Sequence, residues 1–180
     1  MIIVEHCNLC DNKIVNFKTG VICSLTNKKP DFTNKCPKIV LENEFEKQIT
    51  KINIEYESVL NSRTNQIGLG TFNLIISLVI FILGMVITNF IFQKGFISTI
   101  TLVILVIACI PLAKGIGTIN SYFNDLKIAK EKKQKLDKIA SFYGYDYNIQ
   151  IQHIKDSLGN IEHKADLKIF KIPFKVLNKD

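Results

Sequence analysis

The sequence predicts an α+β membrane protein, and three observations lead to this fold class. Two uncharged, apolar runs lie side by side in the middle of the 180-residue chain. Four of its five cysteines fall before residue 38, and its last part alternates apolar with polar side chains. Two spanning helices, a small cysteine-rich domain and a pair of strands account for all three observations.

Each apolar run is long enough to cross a bilayer. Residues 67–92 and 95–113 hold no charged side chain, and Lys94 is the only charge between them. A bilayer core about 30 Å thick needs roughly 20 apolar residues of helix. A soluble domain would have to be far larger than this chain to cover two such helices. We therefore expect transmembrane helices at residues 67–92 and 95–118, joined by a very short turn.

Basic residues predict the orientation of these spans. Lys47, Lys51 and Arg63 precede the first span, and a lysine-rich stretch at 114–135 follows the second. The opening residues lack the basic region, the apolar core and the cleavage site of a signal peptide. The positive-inside rule then places both termini in the cytoplasm of a bacterium, with the hairpin in its inner membrane.

The formal net charge of +7 allows two interpretations. Membrane topology and attraction to the anionic head groups of the lipid bilayer explain it without a further ligand. Binding of nucleic acid or of a nucleotide is the alternative. Because Arg63 is the only arginine, clamps that bind phosphate through two parallel hydrogen bonds are nearly excluded.

Amphipathic helices are predicted on both sides of the spans, at residues 39–66 and 119–143. Apolar side chains in the first recur at spacings of four and three, at Phe45, Ile49, Ile52, Tyr56 and Val59. The second has a weaker seam at Tyr122, Leu126, Ala129, Lys133, Leu136 and Ala140. Such heptad spacing predicts that the helices pack as a stalk, within one chain or between the subunits of a homo-oligomer.

The cysteines of residues 1–38 have the spacing of a metal site. Cys7 and Cys10 are separated by two residues, and Cys23 and Cys36 each follow after a longer segment. Two close and two distant thiolates suit tetrahedral zinc, and a site closed by four thiolates is structural. The sequence therefore predicts a zinc ribbon with one structural Zn²⁺.

Other uses of these cysteines stay open. A disulfide pair, a redox-active pair and plain reduced thiols are the alternatives, and His6 could replace one of the ligands. A cytoplasmic location disfavours disulfides, and a domain of fewer than 40 residues usually needs a metal or a crosslink to fold. Residues 13–17 and 21–25 predict a short hairpin that carries Cys23. Cys109, inside the second span, is expected to be a small packing residue.

The N-terminal cysteine region also resembles a known module. The segment Gly20–Thr26, then Pro30-Asp-Phe32 and Cys36-Pro37, is similar to a cysteine-rich N-terminal module of small membrane proteins from Bacteroidetes-type bacteria. The resemblance covers about the first 40 residues. It implies a zinc-ribbon fold for the four cysteines, and it implies no activity.

Residues 144–180 predict a β-hairpin. Apolar and polar side chains alternate from Tyr147 to His153 and again from Ile161 to Ile169, with a turn signal at 156–160. A last short strand could follow at 174–177. This pairing places His153 opposite His163, where the two imidazoles could bind a metal, sense pH, or have no role.

The spans carry small and weakly polar residues on one face each. The first has Gly70, Asn73, Ser77, Gly84 and Thr88. The second has Ser98, Thr101, Ala108 and Gly115. Such faces let helices pack closely, and they could instead line a pore in an oligomer.

The sequence shows no phosphate-binding loop and no nucleophile–histidine–acid set, so no enzyme is expected. The predicted function therefore rests on the arrangement of the spans and the cytoplasmic domains. The arrangement resembles two-span membrane effectors of bacterial antiphage defence. That resemblance implies an oligomeric, pore-forming or membrane-disrupting channel gated by a nucleotide or oligonucleotide. The alternative is a membrane anchor or adaptor whose zinc ribbon recruits a cytoplasmic protein or nucleic acid.

Overall fold

The computed structural model is a mixed helix and strand protein with two long apolar helices. It describes residues 3–17, 20–32, 35–91, 99–155 and 161–172. The elements in chain order are α1 (Ile3–Asn8), β1 (Lys13–Asn16), β2 (Gly20–Cys23), α2 (Asn43–Asn61), α3 (Arg63–Val86) with a π-helical turn at Ile87–Ile91, α4 (Thr99–Phe142), β3 (Tyr145–Lys155) and β4 (Ile161–Lys171).

These elements form two compact units. The terminal unit contains Met1–Glu57 and Lys130–Asp180, and the hairpin unit contains Ser58–Ala129. The segments predicted from the sequence, at 1–38, 39–66, 67–92, 95–118, 119–143 and 144–180, are a finer division of the chain than these two units. In the structure Ser62 separates α2 from α3, and α4 continues without interruption from the segment at 95–118 into the one at 119–143.

The core of the terminal unit joins α2 to the end of α4. Its buried side chains are Leu9, Phe45, Ile49, Leu136, Ile139 and Ala140. Phe45 and Ile49 lie one helical turn apart on α2, and Leu136 and Ala140 have the same spacing on α4, so each pair lies on one face of its helix. The two apolar seams therefore pack against each other within this chain.

Lys133 interrupts the apolar seam of α4, and the structure accounts for its position. Its ammonium group lies 5.0 Å from the centre of the Tyr56 ring on α2. A lysine over an aromatic face gains electrostatic attraction to the ring and still reaches water with its charged end. The seam therefore continues across this position as a cation–π contact.

The predicted C-terminal hairpin is confirmed, since β3 and β4 pair antiparallel from Tyr145↔Lys171 to Lys155↔Ile161. Residues of period two on both strands, Tyr145, Tyr147, Ile149, Leu167 and Ile169, pack against the core. Gly144 has a φ of 76°, and this left-handed conformation ends α4 just before β3. The strand expected at 174–177 lies outside the described residues.

A polar network that the sequence did not indicate lies beneath this sheet. Asn53 of α2 is only 1% exposed. Its side-chain nitrogen donates to the Ile49 carbonyl at 2.8 Å and to the Tyr147 hydroxyl at 3.3 Å. The Tyr147 hydroxyl in turn donates to the Asp137 carboxylate. The network joins α2, α4 and β3, so it fixes the register between these three elements.

This network predicts a loss of stability at alkaline pH. Burial, and then the hydrogen bond to Asp137, raises the pKa of Tyr147 above its ordinary value. Above about pH 10 the unfolded chain loses this proton while the folded chain keeps it, so the free energy of unfolding falls as pH rises. Tyr147→Phe should make that fall shallower, by at most about 1.4 kcal/mol per pH unit. Denaturant unfolding at several pH values measures how the free energy of unfolding changes with pH in the unaltered chain and in Tyr147→Phe. Equal slopes for the two would show that Tyr147 does not cause the loss of stability.

The hairpin unit contains the apolar helices. The helical segments Asn43–Phe90 and Thr101–Phe142 are long and apolar enough to cross a membrane. Their most apolar 18-residue windows are 17% and 11% buried, whereas a core helix of a soluble protein is mostly buried. Large apolar side chains such as Phe72, Leu78 and Val106 are instead more than half exposed. This surface is the kind that a bilayer covers.

Candidate functional site

The four cysteines expected to bind zinc come from four short elements. Cys7 lies in α1, Cys10 follows that helix, Cys23 ends β2, and Cys36 lies in the segment before α2. The hairpin expected between residues 13 and 25 is present, with Lys13↔Cys23 as the last pair of the β1–β2 ladder. This pairing brings Cys23 beside the segment that follows Cys10.

All four thiols line one cavity of about 660 Å³. Cys10 is buried, and the other three are partly buried. Burial raises the pKa of Cys7 to about 11, and repulsion from Cys36, Cys10 and Cys23 adds to the rise. The thiols are therefore close enough to oppose one another's ionisation. A divalent cation among them would remove that repulsion and favour the thiolates.

Four thiols are a donor set that suits zinc. Their sulfur atoms lie farther apart than the four ligands of a closed zinc site. In the described residues, no three His, Cys, Asp or Glu side chains stand close enough to hold a metal ion together. Binding would thus draw the thiols together inside the cavity. Small metal-dependent modules form their sites as the ion binds, so the two observations are compatible. The zinc ribbon itself stays a prediction.

Backbone hydrogen bonds already hold two of the cysteines, Cys10 through its sulfur and Cys23 through its carbonyl. The Val40 amide donates to the Cys10 sulfur at 3.5 Å. The Cys23 carbonyl accepts from the Asn27 amide at 2.8 Å, and Asn27 has a φ of 50°, which closes a tight turn after β2. Amide donors near the sulfur stabilise a thiolate, and the turn keeps Cys23 at the cavity.

Asp11 attaches the cysteine module to α2, a role that the sequence did not indicate. Its carboxylate accepts from the amides of Glu42 and Glu44, both at 2.8 Å. These amides lie at the N-terminus of α2, where the first helical turn leaves donors unpaired. Lys13 adds a 3.2 Å ion pair with Glu44. Because Asp11 lies about 30 residues before the helix that it caps, no local capping pattern could reveal it.

Tyr143 connects the same module to the end of α4. Its hydroxyl accepts from the Cys36 amide at 3.1 Å and lies 2.9 Å from Nδ1 of His6. His6 is 2% exposed, and its burial lowers its pKa. The ring of His6 also meets Phe32 edge-on, 5.7 Å between centres. His6, considered above as a replacement ligand, thus contacts Tyr143 through Nδ1 while it lines the cavity.

Removing this hydroxyl should weaken zinc binding. Tyr143→Phe leaves the Cys36 amide and buried His6 without a partner, at a cost of about 1–3 kcal/mol. If the module closes only around the ion, this cost appears as roughly tenfold weaker Zn²⁺ binding. Competition with a zinc chelator measures the affinity.

Tyr145→Phe is the matched control for this substitution. The ring of Tyr145, rather than its hydroxyl, contacts Phe45 and Lys171. The zinc affinity of Tyr145→Phe should equal that of the unaltered chain. Equal zinc affinities for Tyr143→Phe and Tyr145→Phe would show that Tyr143 does not support the site.

The small-residue face of the spans lies between α3 and α4 of the same chain. The Ser77 hydroxyl, 6% exposed, donates to the Ala108 carbonyl at 2.8 Å. A Cβ atom at Gly115 would lie 2.8 Å from the Gly70 carbonyl oxygen. Gly84 faces Ile104 at similarly close range, and the Thr88 hydroxyl donates to the Gly84 carbonyl. The face therefore packs the two helices together.

The other residues predicted for the pore or helix-packing face are Asn73, Thr101 and Ser98. Asn73 is partly exposed, and its side chain donates to the Leu69 carbonyl of its own helix at 2.7 Å. Thr101 is partly buried on α4. Ser98 lies outside the described residues. Cys109 is exposed on α4, so the packing role expected for it is not seen between the described helices of this chain.

Comparisons of the chain with protein-family models, with curated proteins and with solved structures find no match. The resemblances to the Bacteroidetes module and to antiphage effectors therefore stay predictions. The function has to be argued from the geometry of the two units.

Proposed function

We propose that the protein is a membrane anchor that holds a metal-stabilised cytoplasmic domain at the bacterial inner membrane, where it recruits a cytoplasmic partner. The observation that carries this proposal is the packing inside the hairpin unit. Ser77, Gly84 and Gly115 are buried against the other helix of the same chain. The hairpin is then a self-contained pair of helices, which an anchor requires.

The outer surface of the hairpin unit supports an anchor as well. Exposed polar side chains on α3 and on the π-helical turn after it, such as Thr71, Asn73 and Asn89, donate to backbone carbonyls of the preceding helical turn. Each of these hydrogen bonds lowers the cost of placing the side chain at membrane depth. Around them lie large exposed apolar side chains that suit lipid.

The terminal unit would be the domain that the anchor holds at the membrane for a partner to bind. Cys7, Cys10, Cys23 and Cys36 would hold one Zn²⁺ as a crosslink, which gives a small module rigidity that its few core residues do not supply. Asp11 and Tyr143 tie this module to α2 and α4. A partner protein or nucleic acid would thus meet one continuous surface formed by the module, the helices and the β3–β4 sheet.

The oligomeric channel gated by a nucleotide receives less support from this geometry. Ser77, Gly84 and Gly115 of the predicted small-residue faces pack against the other helix of the chain, so they do not line a pore. The apolar seams of α2 and α4 also find their partner within the chain. The defence effector therefore stays a prediction without a structural observation in its favour.

Liposome leakage separates the two functions. The full chain, loaded with Zn²⁺, is reconstituted into vesicles that trap a fluorescent dye, and nucleotides and oligonucleotides are then added. The anchor predicts leakage no faster than in protein-free vesicles at every protein-to-lipid ratio. Leakage that increases with protein, together with an oligomeric mass in mild detergent, would contradict the anchor and favour the channel.

A further inference from the structure

His153 and His163 form a contact that the proposed function does not use. They face each other across β3 and β4, and their Nδ1 atoms are 2.8 Å apart. The ring centres are 4.8 Å apart, and the ring planes stand at 88°. His153 is exposed and His163 is partly exposed, so solvent reaches the pair.

The separation of the two nitrogens matches a pair of metal ligands. Two imidazole nitrogens that bind one ion at about 2.0–2.1 Å and at a right angle lie about 2.9 Å apart. Tetrahedral binding would need about 3.3 Å. The observed 2.8 Å is the length of the hydrogen bond between the two rings, and it is closer to the separation needed for the square geometry typical of Cu²⁺ and Ni²⁺ than to the tetrahedral one. Perpendicular rings are compatible with it, because each ring can rotate about its own metal–nitrogen bond.

We propose that His153 and His163 form a site for a divalent transition metal that prefers square coordination, with Nδ1 of both rings as ligands. In the free protein one Nδ1 carries a proton and donates it to the other. Binding moves that proton to Nε2 of the same ring, so both Nδ1 lone pairs face the ion and no net proton is released. The next pair on this face toward the core, Ile151 and Ala165, has no side-chain ligand atoms, so from that side water would occupy the open coordination positions.

Nickel calorimetry tests the site. The full chain is purified without a polyhistidine tag and saturated with Zn²⁺, so that the N-terminal thiols are occupied. We expect one Ni²⁺ per chain, bound at least tenfold more weakly by the double variant His153→Ala/His163→Ala. The matched control is Gln152→Ala/Lys164→Ala, which alters the neighbouring pair on the opposite face and should leave the affinity unchanged. Equal affinities for the His variant and the unaltered chain would overturn the proposal.

A second measurement needs no variant. An ion that bridges the two strands stabilises their pairing, so saturating Ni²⁺ should slow hydrogen exchange of the amides at 151–155 and 161–165 at least several-fold. Exchange at β1 and β2 should stay the same. Unchanged exchange at β3 and β4 in saturating Ni²⁺ would also overturn the proposal.

Discussion

Replacing Cys23 by serine should weaken zinc binding strongly and destabilise the cysteine module. Zinc in small structural sites contributes an apparent 10–16 kcal/mol, so the loss of one ligand in four removes about 3 kcal/mol and weakens binding about a hundredfold. Because the module is held together by the bound ion, the same free energy is lost from the stability of β1, β2 and the cysteine loops.

Metal analysis and hydrogen exchange measure this effect together. The unaltered chain should carry one zinc per molecule and protect the amides between residues 7 and 40, whereas Cys23→Ser should lose its zinc to a chelator at about a hundredfold lower concentration and protect those amides less. Cys109→Ser is the matched control, because Cys109 lies on α4 in the hairpin unit and is exposed there. If Cys23→Ser bound zinc as tightly as the unaltered chain, or if the unaltered chain failed to bind zinc with its thiols reduced, the metal site would be refuted.

Gly115→Ala should weaken the packing between α3 and α4. A methyl group at this position would lie 2.8 Å from the Gly70 carbonyl oxygen and 3.0 Å from the Leu74 side chain. The leucine can rotate, but the backbone carbonyl cannot yield unless α3 and α4 move apart. Overpacking of this kind costs about 1–3 kcal/mol. The equilibrium between folded and separated helices, titrated with SDS in mixed micelles, reports this change.

Gly117→Ala provides a control two residues away on the same helix. Nothing lies within 4 Å of a Cβ atom at Gly117, so the substitution meets open space. Alanine is the better helix former by about 1 kcal/mol, and this variant should be unchanged or slightly more stable. Equal destabilisation by the two variants would show that α3 and α4 do not approach each other at Gly115.

Features with a local repeating pattern were predictable from the sequence. Period-two alternation at 147–153 and 161–169 indicates paired strands because one sheet face must be covered. Long uncharged runs indicate the helices of the hairpin unit. Spacings of four and three between Phe45, Ile49 and Ile52 indicate a buried helix face. The pattern could not show that the partner of this face lies in the same chain.

Features that depend on distant partners were not predictable. Asp11 caps a helix 31 positions away, and His6 meets a tyrosine 137 positions away. Asn53 looks like a polar residue on a helix surface, and only the position of Tyr147 on β3 explains why it is buried. The interruption at Ser62 has no glycine or proline to signal it. These roles arise from three-dimensional proximity, and a pattern of neighbouring residues does not encode it.

The topology of the hairpin in living cells shows whether the two apolar helices cross the inner membrane. Cysteines introduced as Lys94→Cys, between the two apolar runs, and as Asn178→Cys are exposed to a membrane-impermeant maleimide before and after the inner membrane is opened, and the labelling of the unaltered chain, which has five cysteines of its own, is subtracted. The two-span anchor predicts that position 94 reacts in intact cells, that position 178 reacts only after opening, and that the protein stays in the membrane fraction in alkaline carbonate. Labelling of position 178 in intact cells, or release of the protein by carbonate, would contradict it.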